Sequence, residues 1–575
     1  MLVIFLFSDL CLISYHDMKT TFYVSAAALA LAALTSCNGK LGALSADNFT
    51  VTPSPLETVG NDVPATINGR FPQKYMKKKA VVTVIPELRY AGVKAVGQPA
   101  TFQGEKVVGN DQTVSYKLGG NYVMKANFPY NPAMFSSELY LNFEARVGKK
   151  AVTIPAVKVA DGVIATSQLV YLTLASANTA TAADGFQREI SRQQNAQIKY
   201  LISQAKVRTS ELNTTSVKDF IKVLRDIKAD QKGLALDNVE VSAYASPDGA
   251  LKFNTGLAEN RKGSAEKYVS DQLKKTKLNT NVDAKYTAED WDGFQELVAA
   301  SNIQDKEVIL RVLSMYKDPE EREQQIKNLS VAFRELANEV LPELRRARLT
   351  VNYRVIGRSD DEIRAQYAAD ASKLSVEELL YAATLTKDAA ERKAIFTKAA
   401  QLYPQDKRAY NGLAQLAYAE GNLTDAQNAL NQAAGLPEAN ANAALLALRQ
   451  GNVNGAEALL GKALTAGNYN EVLGNLQIAR GNYAQAAQNF KGINTNSAAL
   501  AQILNKDYVA AAQTLAAVPN ADALTDYLKA VLASRTGEVA QGAQALRAAI
   551  AKNADLRDLA SMDLALKAIY AALNR

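Results

Sequence analysis

A Gly-Asn dipeptide that recurs at 30-residue intervals in the C-terminal part of the chain constrains the fold more than any other feature. It stands at Gly421-Asn422, Gly451-Asn452 and Gly481-Asn482. Glycine relieves backbone strain where a helix ends, so each dipeptide predicts a turn between two helices. Alanines follow at helical spacing and allow close helix contact. Such helix pairs bury their apolar faces only by stacking on one another, so the sequence predicts an all-α solenoid.

Two less regular turns extend this series, one at Gly537 and one at Lys506-Asp507. The best-defined unit resembles a tetratricopeptide repeat at Tyr410, Leu413, Ala414, Gly421, Ala426, Leu430, Ala433 and Pro437. The resemblance implies a concave surface that binds peptides or protein partners. We place the repeats at residues 376–575 and expect a linker at 358–375. No charge pattern on the repeats identifies the partner.

The N-terminal residues have the pattern of an export signal. Met18 and Lys19 precede an apolar run rich in alanine and leucine, which ends at Thr35-Ser36-Cys37. A positive start, a short apolar core and small residues before a cleavage point are typical of such signals. The cysteine resembles the end of a bacterial lipobox, which implies cleavage before Cys37 and its lipidation. A plain signal peptide and an N-terminal transmembrane helix are the alternatives.

Residues 1–17 fit the start of a signal badly, because they contain two aspartates and no lysine or arginine. We therefore expect Met18 to be the true start and residues 1–37 to be an extended N-terminus with the signal peptide. The residues just after Cys37 lack the acidic side chains that surface lipoproteins of the Bacteroidota often carry. This favours the periplasmic face of the outer membrane.

The distribution of histidine and cysteine excludes several kinds of enzyme. The single histidine, His16, and the cysteines Cys11 and Cys37 all lie in the first 37 residues. The remaining chain therefore has no Ser-His-Asp or Cys-His catalysis, no Cys/His zinc site and no haem ligation by these residues. We expect no enzymatic activity, metal or cofactor. The net charge of +7 is spread without a basic block among aromatic residues, so we expect no nucleic-acid partner.

Residues 50–180 contain short runs of β-forming residues separated by glycine and proline. The runs are Val81–Ile85, 113–118, 139–144, 151–159 and 162–169. Short strands at this spacing predict a β-sandwich-like module. The run Lys77-Lys78-Lys79 is typical of a solvated strand start, and contact with anionic headgroups is the alternative.

The stretch from Val239 to Tyr268 predicts a strand, a polar turn and a helix. Residues 239–244 alternate as a strand does, and Pro247 and Gly249 favour the turn. The turn and the first helical turns offer the polar side chains of Ser246, Asp248, Asn254, Glu259 and Arg261. No other part of the sequence has a constellation of residues that looks like a ligand site.

This stretch resembles the OmpA C-terminal-like, peptidoglycan-associated domain. Gly249, Asn254, Leu257 and Arg261 stand at the spacing of that family. The order of strands and helices over residues 188–357 agrees, with a helical insertion at about 288–346. The resemblance implies an α/β domain in which an aspartate and an arginine grip the charged centre of a cell-wall stem peptide. A guanidinium suits this role because it bonds both oxygens of a carboxylate.

The resemblance is incomplete at the position of the family's aspartate. Arg261 takes the role of the family's arginine, whereas Ser246 occupies the position of the acid and Asp248 follows two residues later. A serine hydroxyl does not neutralise an ammonium group, so Asp248 swings in, the site is weakened, or it binds another ligand. The alternative is a purely structural domain in which Asn254 bonds the turn and Arg261 is a surface residue.

Together these features predict a multidomain lipoprotein of Bacteroidota type. Its parts are a β-sandwich-like module, an α/β OmpA-like domain and a tetratricopeptide-like solenoid in series. We expect a non-enzymatic envelope scaffold, anchored to the outer membrane through Cys37, that contacts peptidoglycan through Ser246, Asp248, Asn254 and Arg261 and proteins through the repeats. The alternative is an accessory subunit of an envelope assembly or secretion complex, for fimbriae or outer-membrane proteins, that does not bind peptidoglycan.

Overall fold

The computed structural model describes residues 41–303, 306–328 and 330–573, without the side chains of residues 330–332. The predicted signal peptide and the lipidation site Cys37 lie outside these residues. The described residues form two compact units: residues 41–184 join residues 386–573 in one, and the described residues between 185 and 385 form the other. The expected three domains in series are thus arranged differently, because the β-rich module and the helical repeats share one unit.

The β-rich module of the first unit has two sheets around one core. Its strands are β1 (Phe49–Thr52), β2 (Asp62–Phe71), β3 (Ala80–Tyr90), β4 (Val93–Val96), β5 (Ala100–Gly104), β6 (Gln112–Val114), β7 (Gly120–Pro129), β8 (Ser137–Val147) and β9 (Lys150–Gly162). One sheet has the order β1-β2-β7, and the other has the order β6-β5-β3-β8-β9 with β4 beside β3. Alternate residues of both sheets, such as Ile67 and Val84, are fully buried in the same core. This arrangement is that of a sandwich.

The end of the module differs from the sequence-based expectation. Residues 162–169 were expected to form a strand, but β9 ends at Gly162. Beyond it the N–H groups of Val163 and Ile164 bond the carbonyls of Met134 and Leu56 instead of continuing the β8–β9 ladder. The following segment, residues 165–184, contains a short 3-10 helix, α1 (Val170–Thr173), a second 3-10 turn and a non-repetitive stretch.

The second unit is built on a four-stranded sheet. Its strands are β10 (Glu189–Lys199), β11 (Leu234–Tyr244), β12 (Val282–Thr287) and β13 (Arg346–Ile356), in the order β10-β13-β11-β12. The helices beside it are α2 (Thr209–Leu212), α3 (Thr215–Ala229) and α4 (Leu251–Thr276). Phe220 of α3 and Val269 of α4 are buried in one core with Val241 of β11. The polar turn between β11 and α4 therefore lies at one end of the sheet.

The helical insertion of this unit has a core of its own. Its helices are α5 (Trp291–Ala300), α6 (Lys306–Met315), α7 (Pro319–Asn328), α8 (Ser330–Glu339) and α9 (Leu341–Leu344). Phe294, Ile309 and Leu336 are buried among them. The insertion is thus a small helical subdomain between β12 and β13.

The expected linker at 358–375 is helical instead. It contains α10 (Asp360–Asp370), and α11 (Val376–Ala382) follows directly. Ser359 and Ser375 each form a capping box with a glutamate three residues later, which satisfies free N–H groups at both helix starts. Both helices belong to the second unit, so the repeats of the first unit start later than residue 376.

The C-terminal residues of the first unit form antiparallel helix pairs. The helices are α12 (Ala389–Leu402), α13 (Lys407–Ala419), α14 (Leu423–Gln432), α15 (Pro437–Arg449), α16 (Val453–Leu460), α17 (Tyr469–Ala479), α18 (Tyr483–Asn489), α19 (Asn496–Leu504), α20 (Tyr508–Ala517), α21 (Ala523–Thr536), α22 (Val539–Lys552), α23 (Leu556–Met562) and α24 (Lys567–Leu573). The predicted turns are confirmed: Gly421, Gly451 and Gly481 each have a φ of +78°, and Lys506 occupies the equivalent place at +64°. Among the described helices, none has both the length and the apolar run that crossing a bilayer requires.

Candidate functional sites

The predicted polar turn brings Ser246 and Asp248 together with an arginine that the sequence analysis missed. The Ser246 hydroxyl donates to Asp248 Oδ1 at 2.5 Å. Arg345 donates from Nη2 to Asp248 Oδ2 at 3.2 Å and from Nε to Ser246 Oγ at 3.4 Å. Arg345 reaches the turn because β13 runs antiparallel to β11, with Ala347 opposite Ala243. The charge of Asp248 is therefore balanced within the chain.

Asn254 fixes the shape of this turn. Its side-chain amide donates to the carbonyl of Gly249 at 2.8 Å and to the carbonyl of Ser246 at 3.2 Å. The residue is 3% exposed. Both donor hydrogens are therefore used inside the protein, and the role of Asn254 is to hold the turn against the first turn of α4.

Arg261 is a buried structural residue of the second unit rather than a surface residue of α4. It is fully buried, and its guanidinium donates to three backbone carbonyls: those of Gln204 at 3.0 Å, Tyr244 at 2.9 Å and Leu201 at 3.3 Å. Burial lowers the pKa of Arg261 to about 10. In the part of the chain that the structure describes, no carboxylate forms an ion pair with it. A ligand carboxylate would have to displace carbonyls that join β11 to the loop after β10.

A second site lies in the first unit, where the solenoid holds residues 165–184 of its own chain. We call these residues the groove segment, and the surface of the repeat helices that holds them the groove. Asn442 of α15 accepts from the N–H of Ala180 at 2.7 Å and donates to its carbonyl at 2.9 Å. Asn411 of α13 donates to the same carbonyl at 3.0 Å. Both asparagines are almost fully buried, at 2% and 1% exposed.

The next residues of the groove segment are held in the same way. Glu471 of α17 accepts from the backbone N–H of Asn178 at 3.0 Å and from its side-chain amide at 2.9 Å. Asn468 donates to the carbonyl of Asn178 at 2.8 Å. Gln415 of α13 donates to the hydroxyls of Thr179 and Thr181. Because alternate backbone groups are bonded, the solenoid recognises this stretch as an extended peptide.

Apolar burial and one buried acid complete the groove. Leu169, Val170 and Leu174 of the groove segment belong to the core of the solenoid. Glu471 is 3% exposed, and burial raises its pKa, an effect that the bonds from Asn178 partly offset. The repeats, which we expect to bind partners, thus hold residues of their own chain.

The β-rich module is bonded to later helices of the repeats, α18 and α21. The hydroxyl of Tyr483 accepts from the N–H of Gly60 at 3.0 Å. Arg535 of α21 forms an ion pair with Glu57 and donates to the hydroxyl of Thr166 at 2.9 Å. These contacts flank the start of the groove segment, so the module, the segment and the repeats stabilise one another.

The described residues contain no group of three or more acidic, histidine or cysteine side chains placed to hold a metal ion. No protein-family model and no curated protein matches the sequence.

Three solved structures of other proteins are similar to this chain. A tetratricopeptide repeat protein from Parabacteroides merdae ATCC 43184 is 16% identical, covers 36% of this chain and 91% of its own, and has a TM-score of 0.28. A chain of the APC/C hetero-tetramer Cut9-Hcn1 is 15% identical over 56% of this chain and 74% of its own, with a TM-score of 0.30. Yeast Tom70 is 12% identical over 62% and 83%, with a TM-score of 0.24.

Proposed function

We propose that this protein is a non-enzymatic scaffold of the bacterial cell envelope. It is exported, lipidated at Cys37 and anchored to the outer membrane, with its folded part facing the periplasm. The observation that carries the scaffold role is the filled groove, in which the repeats hold an extended segment through Asn442, Asn411 and Glu471. Export and anchoring rest on the signal pattern alone.

The filled groove sets where protein partners bind. The groove segment is part of the same chain, so its effective concentration at the groove is on the order of millimolar or higher. A free peptide that made the same backbone bonds would compete poorly against it. The groove segment therefore joins the β-rich module to the solenoid, and protein partners bind the outer surface of this combined unit.

Crosslinking in intact cells with mass spectrometry tests the scaffold role. We expect crosslinks to other proteins from exposed lysines of the repeats, such as Lys462, Lys491 and Lys506. Changing these three lysines to arginine is the matched control, because it removes the crosslinks and leaves co-purification of the partners intact. Crosslinks to other proteins that avoid residues 386–573 altogether contradict the role of the repeats.

Peptidoglycan contact at the polar turn is the second part of the proposal. It is supported by the family resemblance and by the adjacency of Ser246, Asp248 and Asn254. Because Arg261 is bonded to three carbonyls, the arginine available to a ligand carboxylate is Arg345. Asp248 then offers a carboxylate, and Arg345 a guanidinium, to the oppositely charged groups of a stem peptide.

Sedimentation with purified sacculi tests this contact. We expect the wild-type protein to sediment, and Asp248→Asn and Arg345→Gln to remain in the supernatant. Arg354→Gln is the control, because Arg354 forms its ion pairs at the other end of β13. If the wild-type protein stays in the supernatant, the proposed peptidoglycan contact is wrong. The function that then remains is that of an accessory subunit of an assembly or secretion complex.

A further inference from the structure

Basic residues gather at one end of the β-rich module from four separate segments of the chain. The N–H of Lys106 bonds the carbonyl of Lys78 at 2.7 Å, and the N–H of Lys74 bonds the carbonyl of Tyr116 at 2.6 Å. The β8–β9 turn joins them through a bond from Gly148 to the carbonyl of Lys79 at 2.9 Å. We call this surface the basic end. Its cations are Lys74, Lys77, Lys78, Lys79, Lys106, Lys117, Arg146, Lys149 and Lys150.

The charge of the basic end is not neutralised within the protein. Its nine cations face three acids on the same segments, Glu105, Asp111 and Glu144. Within residues 41–303, 306–328 and 330–573, none of the nine cations forms an ion pair. Lysines elsewhere do so, such as Lys158 with Glu138 at 2.6 Å. A concentration of unpaired positive charge of this kind attracts an anionic surface.

Two apolar side chains project among the lysines. Val108, on the loop after β5, is fully exposed, and Leu118, in the turn before β7, is 71% exposed. Single exposed apolar residues are ordinary on protein surfaces. Here both flank lysines of the basic end, and apolar residues surrounded by lysines are the composition with which proteins bind the interface of an anionic bilayer.

The described chain begins at the same end of the module. The hydroxyl of Tyr75 donates to the carbonyl of Gly42 at 2.9 Å, and Leu41 and Leu44 are buried in the core. Gly42 follows Cys37 by five residues, which span at most about 18 Å when extended. A lipid on Cys37, which belongs to the proposed function, would thus lie close to the basic end.

We propose that the basic end of the β-rich module docks onto an anionic lipid bilayer. The lysines lie over the headgroups, while Val108 and Leu118 enter the boundary between headgroups and acyl chains. This contact orients the module against the membrane and does not depend on the lipid at Cys37.

Sedimentation with vesicles tests the proposal on the chain from Asn38 onward, which contains every described residue and carries no lipid. We expect binding to phosphatidylglycerol vesicles, no binding to phosphatidylcholine vesicles, and release in about 1 M salt, where the screening length falls to about 3 Å. Each surface lysine contributes about fivefold in affinity. The triple change Lys78→Gln, Lys79→Gln and Lys106→Gln should therefore weaken binding on the order of 100-fold.

A matched control removes the same charge elsewhere. Lys218, Lys222 and Lys228 are exposed on α3, and changing all three to glutamine should leave vesicle binding unchanged. Val108→Ser with Leu118→Ser should weaken binding to vesicles and leave binding to soluble polyphosphate unchanged, because this variant removes apolar surface and no charge. The proposal is overturned if wild type ignores phosphatidylglycerol vesicles, if both lysine triples behave alike, or if the serine variant binds vesicles as wild type does. Because the protein tested has no lipid, failure here leaves the proposed anchor at Cys37 untouched.

Discussion

The side-chain amide of Asn442 bonds both the N–H and the carbonyl of Ala180, a residue 262 positions earlier in the chain. In this bond a solenoid helix treats a remote part of its own chain as a peptide ligand. The distance in sequence is long, yet both residues are almost fully buried. The stability of the first unit should therefore depend on contacts between residues far apart in the chain, in addition to the packing of neighbouring repeats.

Asn442→Ala should destabilise the first unit by about 2 kcal/mol, because it leaves the N–H of Ala180 buried without an acceptor. Denaturant unfolding measures the loss. Asn440→Ala on the same helix is the control, since Asn440 bonds only the exposed carbonyl of Lys462 and its loss should cost less than about 0.5 kcal/mol. Equal losses in the two variants would show that the groove segment does not stabilise the unit.

Glu471 should make the stability of the first unit depend on pH. Burial raises its pKa above the ordinary value of 4.5, so the folded state binds more protons than the unfolded state above that pH. Its contribution is complete below about pH 4.5 and is lost as the pH rises. The Tm of the wild type should therefore fall relative to that of Glu471→Gln between pH 4.5 and neutrality. A Tm difference that stays constant over this range would contradict the assignment.

Arg261→Lys should destabilise the second unit by about 3 kcal/mol, because a lysine ammonium cannot reach the carbonyls of Gln204, Tyr244 and Leu201 together. Asp248→Asn should cost less than about 1 kcal/mol, since its partner Arg345 remains partly solvated. Calorimetry of the two variants separates a structural role from a ligand role. If Arg261→Lys had wild-type stability but no longer sedimented with sacculi, the structural role would be wrong and Arg261 would instead be a ligand-binding residue.

Lys506→Gly should stabilise the repeats by about 0.5–1 kcal/mol. Lys506 has a φ of +64° at the place where the other repeats have glycine, and only glycine adopts that conformation without strain. The reciprocal variant, Gly451→Ala, should lose about 1 kcal/mol, although open space surrounds the glycine. Thermal unfolding measures both, and a shift of the same sign in the two variants would exclude backbone strain as the cause.

The helical repeats could be predicted from the sequence because their signal is local. A glycine at a fixed interval marks each turn, and Asn422 and Asn452 cap the helices that follow. The prediction of a linker at 358–375 was wrong, although the Ser-x-x-Glu sequences that begin at Ser359 and Ser375 are a recognised signal for the start of a helix.

The parts that could not be predicted depend on residues far apart in the chain. The groove segment is rich in alanine and threonine and has no periodicity, and much of its recognition is through backbone groups, such as those of Asn178 and Ala180. Arg345 joins Asp248 only through the register of β13 on β11. Arg261 has the charge of a surface residue, and its burial follows from carbonyls that other elements supply.

The groove segment also sets an order of events during synthesis. Ala180 precedes its first asparagine partner, Asn411, by 231 residues. The segment therefore leaves the ribosome, and for an exported chain crosses the membrane, long before its binding groove exists. Until the repeats arrive, Leu169, Val170 and Leu174 have no core to enter. The groove segment must wait for the C-terminal half of the chain, so a truncated product would expose its apolar side chains to chaperones and proteases.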